Sequence, residues 1–134
     1  SIKMVAEGNM DTWRIALVVA LCHICGIYFI VEQPLSSLFF EVPHMAHMLD
    51  EIGAESATTW LGNFGAASAK PFRLWGSAPY MADFCNGSPV GLQVRLVTRR
   101  GSKVTGTRSL ADSASYPKQF GDFVANLQAQ AFAE

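Results

Sequence analysis

The sequence predicts an α/β protein, and three observations carry that prediction. Ile27-Tyr28-Phe29-Ile30-Val31 is a β-branched and aromatic run that ends against Glu32, Gln33 and Pro34, as a buried strand does. Leu38, Phe39, Val42, Met45, Met48, Leu49 and Ile52 recur at helical spacing. Phe120, Phe123, Val124 and Leu127 repeat that spacing near the end of the chain.

Taken in order, residues 1–10 are mixed in character, with a turn expected at Gly8-Asn9. Asp11 is a suitable N-cap for a helix over 12–25, which Gly26 ends. The strand 27–31 follows. A competing reading takes 13–31, opening on Trp13 and closing on Val31, as one membrane-spanning helix, because Arg14 and His23 are its only strongly polar groups. His23 near the bilayer centre, Gly26 and the β-favouring run argue for the helix-then-strand reading. The second helix is expected over 37–52, starting or kinking at Pro43 and stopping at Gly53. Strands are expected at 56–61, 71–75 and 90–98, with a loop of small residues over 62–69 and a short helix at 79–85. Arg99-Arg100-Gly101-Ser102-Lys103 forms a basic turn from which Val104-Thr105 returns as a hairpin. Pro117 opens the last helix, over 117–132. No repeat or linker divides the 134 residues, so one domain is expected.

Half of the residues are hydrophobic and 16% are charged, against about a quarter in ordinary globular domains. The net charge of −1 gives no bulk attraction to nucleic acid or to anionic membranes. Three cysteines do not make a disulfide framework, which points to a reducing compartment. The start at Ser1 without methionine suggests a processed protein or a piece of a longer one.

The chemistry-bearing residues are few. Glu32 would sit at the carboxyl end of its strand, where open α/β sheets place ligands. Arg95, Arg99, Arg100, Lys103 and Arg108 form the one basic cluster, able to meet phosphate, lipid headgroups or an acidic protein face, or to be a solvated hairpin tip. Aromatic residues for stacking single-stranded bases are missing from 95–108. Cys22 and Cys25 fall one turn apart with His23 between them, but a zinc site needs about four ligands, so they read as core residues. His44 and His47 read as the polar edge of a helix, and Trp13, Trp60 and Trp75 as core or partner-facing side chains. No metal and no cofactor is expected.

Three segments together resemble the second half of the catalytic domain of cytosine-specific DNA methyltransferases, closest to dinoflagellate algal members of that family. They are Glu32-Gln33-Pro34-Leu35-Ser36-Ser37 after its apolar strand; Thr58-Thr59-Trp60-Leu61-Gly62-Asn63-Phe64-Gly65 with Lys70-Pro71-Phe72-Arg73-Leu74-Trp75; and Lys103-Val104-Thr105-Gly106 with Ser115-Tyr116-Pro117-Lys118-Gln119-Phe120-Gly121. They span about residues 9–124. The resemblance implies a partial methyltransferase-like, Rossmann-like doubly wound sheet, and a base-contacting role for Glu32. It also puts Lys70 and Arg73 among the candidate binding residues. The departures are as informative. Gln33 stands where the family has asparagine, and the Pro-Cys nucleophile and the glycine-rich S-adenosylmethionine loop have no counterpart here. A base-flipping enzyme also needs a DNA-recognition region, which is missing.

The expected function is therefore a non-catalytic structural or interaction subunit of a larger protein assembly, a degenerate half of a methylase-like domain. Its partners would be other protein subunits. The algal resemblance suggests a plastid membrane complex of the photosystem type as host, with 13–31 as membrane contact. The alternative is a fragment of a nuclear DNA cytosine methyltransferase that contributes Glu32, with nucleic acid as partner.

Overall fold

The computed structural model describes residues 2–89, 95–108, 110 and 114–133. The protein is mixed α/β. Its elements are α1 (Ile2–Ile24), β1 (Ile30–Pro34), α2 (Pro43–Glu51), β2 (Glu55–Trp60), β3 (Pro71–Gly76), β4 (Val97–Arg100), β5 (Lys103–Gly106) and α3 (Lys118–Ala133). Single 3₁₀ turns lie at Phe39–Glu41, Leu61–Phe64 and Met81–Phe84. One sheet has the order β1-β3-β2, and β4 and β5 form a second sheet of two strands, both sheets antiparallel. A parallel doubly wound sheet is not formed by the described strands. Two compact units divide the chain: residues 1–57 with 73–82, and residues 58–72 with 83–134.

In the first unit, α1 begins at Ile2, nine residues before Asp11, the expected N-cap. Gly8 and Asn9 do not turn; they continue the helix, and Thr12 Oγ1 donates to Gly8 O at 2.9 Å. An exposed glycine costs a helix only about 1 kcal/mol against alanine, which the long apolar run outweighs. Asp11 instead pairs with Arg14 one turn on, at 2.9 Å. Gly26 ends α1 as expected. It lies at φ +66°, its N–H reaches His23 O, and the Ile27 N–H reaches Cys22 O, the two bonds that close a helix through a left-handed residue. Gly53 ends α2 with the same pair of bonds, to Asp50 O and Leu49 O. The stretch 13–31 is thus helix, turn and strand, not one spanning helix. Among the described residues no helix is long and apolar enough to cross a membrane.

Pro43 starts α2 rather than kinking it, because proline at the first turn gives up an N–H that has no helical partner anyway. Residues 37–42 before it contain only the 3₁₀ turn. The core of this unit is Ala16 and Val19 of α1, Phe29, Phe40, and Met45 and Leu49 of α2, with Ile15, Cys22, Val31 and Trp75 packed around it. Gly76 is compact for a reason. A Cβ there would run into Phe29 O and the Met81 sulfur. Ser77 locks the same corner: its N–H donates to Phe29 O, and its Oγ accepts from the Phe29 N–H.

The second unit is aromatic. Phe84 is fully buried, and the rings of Phe64, Phe84, Phe120 and Phe123 meet at centroid distances of 5.3–6.3 Å. The expected stripe of α3, Phe120, Phe123, Val124 and Leu127, is half-buried. Asn86 braces β2: the Trp60 N–H donates to Asn86 Oδ1 at 2.9 Å, and Asn86 Nδ2 donates to Trp60 O at 3.2 Å. The expected basic hairpin is present as β4 and β5, with Arg100 opposite Lys103. The first part of the expected 90–98 strand lies outside the described residues.

Candidate functional site

Three surfaces carry the chemistry. The first is α1. Its inner stripe, Thr12, Ala16 and Val19, is buried and faces α2. Met10, Trp13, Leu17, Leu21 and Ile24 lie outside that stripe at successive steps of three, four, four and three residues, and each is more than half exposed. That spacing makes a seam of the kind one helix offers another. Residues 2–11 contain no buried side chain at all. Trp13, expected in a core or facing a partner, is half exposed and lies flat on His44, with ring centroids 3.9 Å apart and planes at 4°. His44 is therefore not a free polar edge, whereas His47 is, beside Glu51 at 4.0 Å. Of the cysteines, Cys22 joins the core, but Cys25 and Cys85 are exposed, against the expectation for Cys25. Among the described residues no group of three or more His, Cys, Asp or Glu side chains could hold a metal ion.

The second place is Glu32. It lies on β1, half-buried, followed by Gln33, whose Oε1 accepts a hydrogen bond from Ser37 Oγ at 3.1 Å. Ser37 Oγ in turn accepts from the Phe39 N–H, so the Glu-Gln-Pro corner is tied down locally. Arg73 is half-buried on β3.

The third lies in the second unit, where a cleft of about 260 Å³ is lined by Leu61, Ser68, Lys70, Leu96, Tyr116 and Pro117, with Gly65, Ala66 and Ala67 as a wall almost without side chains. Lys70 adopts φ +37°, in the left-handed region that non-glycine residues rarely enter. Its Nζ sits 5.9 Å from the centre of the Phe72 ring. Ser68 is 5% exposed, and its buried Oγ has no hydrogen-bond partner within the described chain. Neither Glu32 nor Arg73 lines this cleft.

The basic cluster is gathered in part. Arg99, Arg100 and Lys103 share one exposed hairpin, while Arg95 and Arg108 flank it, tied together where Thr107 Oγ1 donates to Arg95 O. The register puts Arg100 and Lys103 on one face and Arg99, with Val97 and Val104, on the other. The five cations form no ion pair among the described residues.

The sequence reading missed the outer stripe of α1 and the cleft. The stripe was visible in the steps from Met10 to Ile24. The cleft had one signal, the side-chain-poor run from Gly65 to Ala69. No family model, no curated protein and no solved structure matches the chain.

Proposed function

We propose that the chain is a non-catalytic interaction subunit of a larger protein assembly, and that the outer side of α1 seats a helix of another subunit. The observation that carries this reading is the exposed seam Met10, Trp13, Leu17, Leu21 and Ile24, on a helix whose other side already fills a core. A helix that is apolar on both sides is ordinarily covered on both. Covering a large apolar side chain is favourable by about 1.5–3 kcal/mol each, so five such residues supply a driving force of the size that stable assembly uses. The stepwise spacing favours a helical partner over a flat one. The algal resemblance extends the reading to a plastid membrane complex of the photosystem type as host.

The test is purification of the tagged chain from its own cells, with mass spectrometry and cross-linking of what co-purifies. A partner in fixed stoichiometry, cross-linked beside α1 and lost in the double variant Leu17→Glu/Leu21→Glu, is the expected result. A monomer, or a partner the double variant retains, contradicts it.

A second reading, a methyltransferase-like half-domain that supplies a base-contacting glutamate, is supported by one observation, the half-buried Glu32 on a strand that leads into Gln33-Pro34. A carboxyl group there has the chemistry to protonate a ring nitrogen. Loss of DNA methylation activity of the assembled protein in Glu32→Gln, with assembly intact, would favour it. Loss of assembly alone would return the glutamate to a structural role.

A further inference from the structure

We infer that the cleft of the second unit binds a small organic anion with a flat apolar body. Three features of the chain converge on that chemistry. Lys70 is the first. Its backbone sits at φ +37°, where glycine is the unstrained residue, and it is held there because its carbonyl accepts from the Leu61 N–H while Ala69 O accepts from the Gly62 N–H. The chain keeps a lysine at a position whose backbone favours glycine, and strain of this kind collects at ligand sites. Lys70 lines the cleft and so brings a cation to its wall.

Ser68 is the second. It lines the same cleft, and its hydroxyl is buried without a partner in the described chain. A buried hydroxyl left unpaired is costly, and a polar group seated in the cleft is what would relieve it. Tyr116 is the third. Its ring packs against Phe72 and Phe120 at 5.8 and 5.7 Å, yet it keeps 48% of its surface open and lines the cleft. Opposite in character stands the wall of Gly65, Ala66 and Ala67, whose small side chains leave room for a planar ligand. At about 260 Å³ the cleft suits one ring and one anionic group, below the range of drug-sized sites. The anion is a carboxylate or a phosphate ester, the two groups a lysine ammonium and a serine hydroxyl both recognise.

The experiment is titration calorimetry of the full chain with benzoate, phenyl phosphate and the neutral benzyl alcohol, repeated on Lys70→Met, Lys70→Gly and Arg99→Glu/Arg100→Glu. At least one of the two anions saturates the wild-type protein more tightly than the alcohol, and the better anion identifies the head group. Lys70→Met weakens that anion by about tenfold or more, the value of one charge-assisted hydrogen bond, and leaves the alcohol unchanged. Lys70→Gly loses the anion too, yet raises the melting temperature because the backbone strain is gone. That opposite movement separates a binding role from misfolding. The hairpin variant binds as wild type. No saturation by either anion overturns the proposal. So does equal binding of anion and alcohol, unchanged binding in Lys70→Met, or an equal loss in the hairpin variant, which would mark general attraction to positive charge.

Discussion

α1 and α3 are both long helices with an apolar stripe, yet they use it differently. α3 has one such stripe, and Phe120, Phe123, Val124 and Leu127 half-bury it against the aromatic core of its own unit. α1 has two. Ala16 and Val19 are buried, whereas Leu17 and Leu21 on the other side are 64% and 60% exposed. The lesson is that the number of apolar sides, more than the total apolarity of a helix, distinguishes a self-contained element from one built to be covered by something else. A helix content with its own unit needs one stripe.

Five outcomes would break or sharpen that contrast. The largest concerns the inner side. Leu49, 1% exposed on α2 in the core with Ala16 and Val19, should cost about 2–5 kcal/mol when changed to alanine, read by chemical denaturation. Phe120→Ala in α3 removes ring contacts to Phe64, Phe84 and Tyr116 from a half-buried position. It should cost about 2 kcal/mol, less than a fully buried phenylalanine. Gly26→Ala forces a side chain into the left-handed cap of α1 and should cost about 1–2 kcal/mol without changing the rest of the helix, checked by circular dichroism and melting. Leu17→Ala on the outer side should stay within about 0.5 kcal/mol in the isolated chain. A loss as large as that of Leu49→Ala would mean that α1 has no free side.

The smallest effect is confined to high pH. Burial, and after it the neighbouring Tyr28 phenol, hold the Tyr80 hydroxyl above its ordinary value of 10.0. Unfolded chains then lose that proton before folded ones do. The contribution is complete below pH 10 and falls away as pH rises past it. Tyr80→Phe should flatten the alkaline limb of a stability–pH curve and leave the neutral region unchanged.

Much of the fold was legible because local rules and packing agreed. Pro43 fixed the start of α2, Gly26 and Gly53 the ends of two helices, and Gly101-Ser102 the turn of the hairpin. The start of α1 was not legible, because Asp11 makes a plausible cap and only the Thr12-to-Gly8 bond and the pairing with Arg14 show that the helix runs through. Strand 1 was displaced by three residues for a related reason. The Ile27 N–H is used to close α1, so Ile27 and Tyr28 belong to the turn, and the strand takes Glu32, Gln33 and Pro34 instead. The membrane reading of 13–31 arose because a two-sided helix and a buried strand have the same summed hydropathy as a spanning helix. Periodicity separates them, and composition does not. Of the candidate residues, Lys70 was named from the sequence, but its position beside Ser68 and Tyr116 depends on pairing between Leu61 and Lys70 and on residues 46 positions later in the chain, which no local pattern encodes.

The measurement that tests the central claim most directly is hydroxyl-radical footprinting of the native protein, compared with the isolated chain. If a partner helix covers the outer side of α1, Met10, Trp13, Leu17 and Leu21 lose reactivity in the native state while Phe132 of α3, 75% exposed, reacts equally in both. Equal reactivity of all five residues in both samples would show that the seam is open in the native protein, and the interaction-subunit account would be wrong.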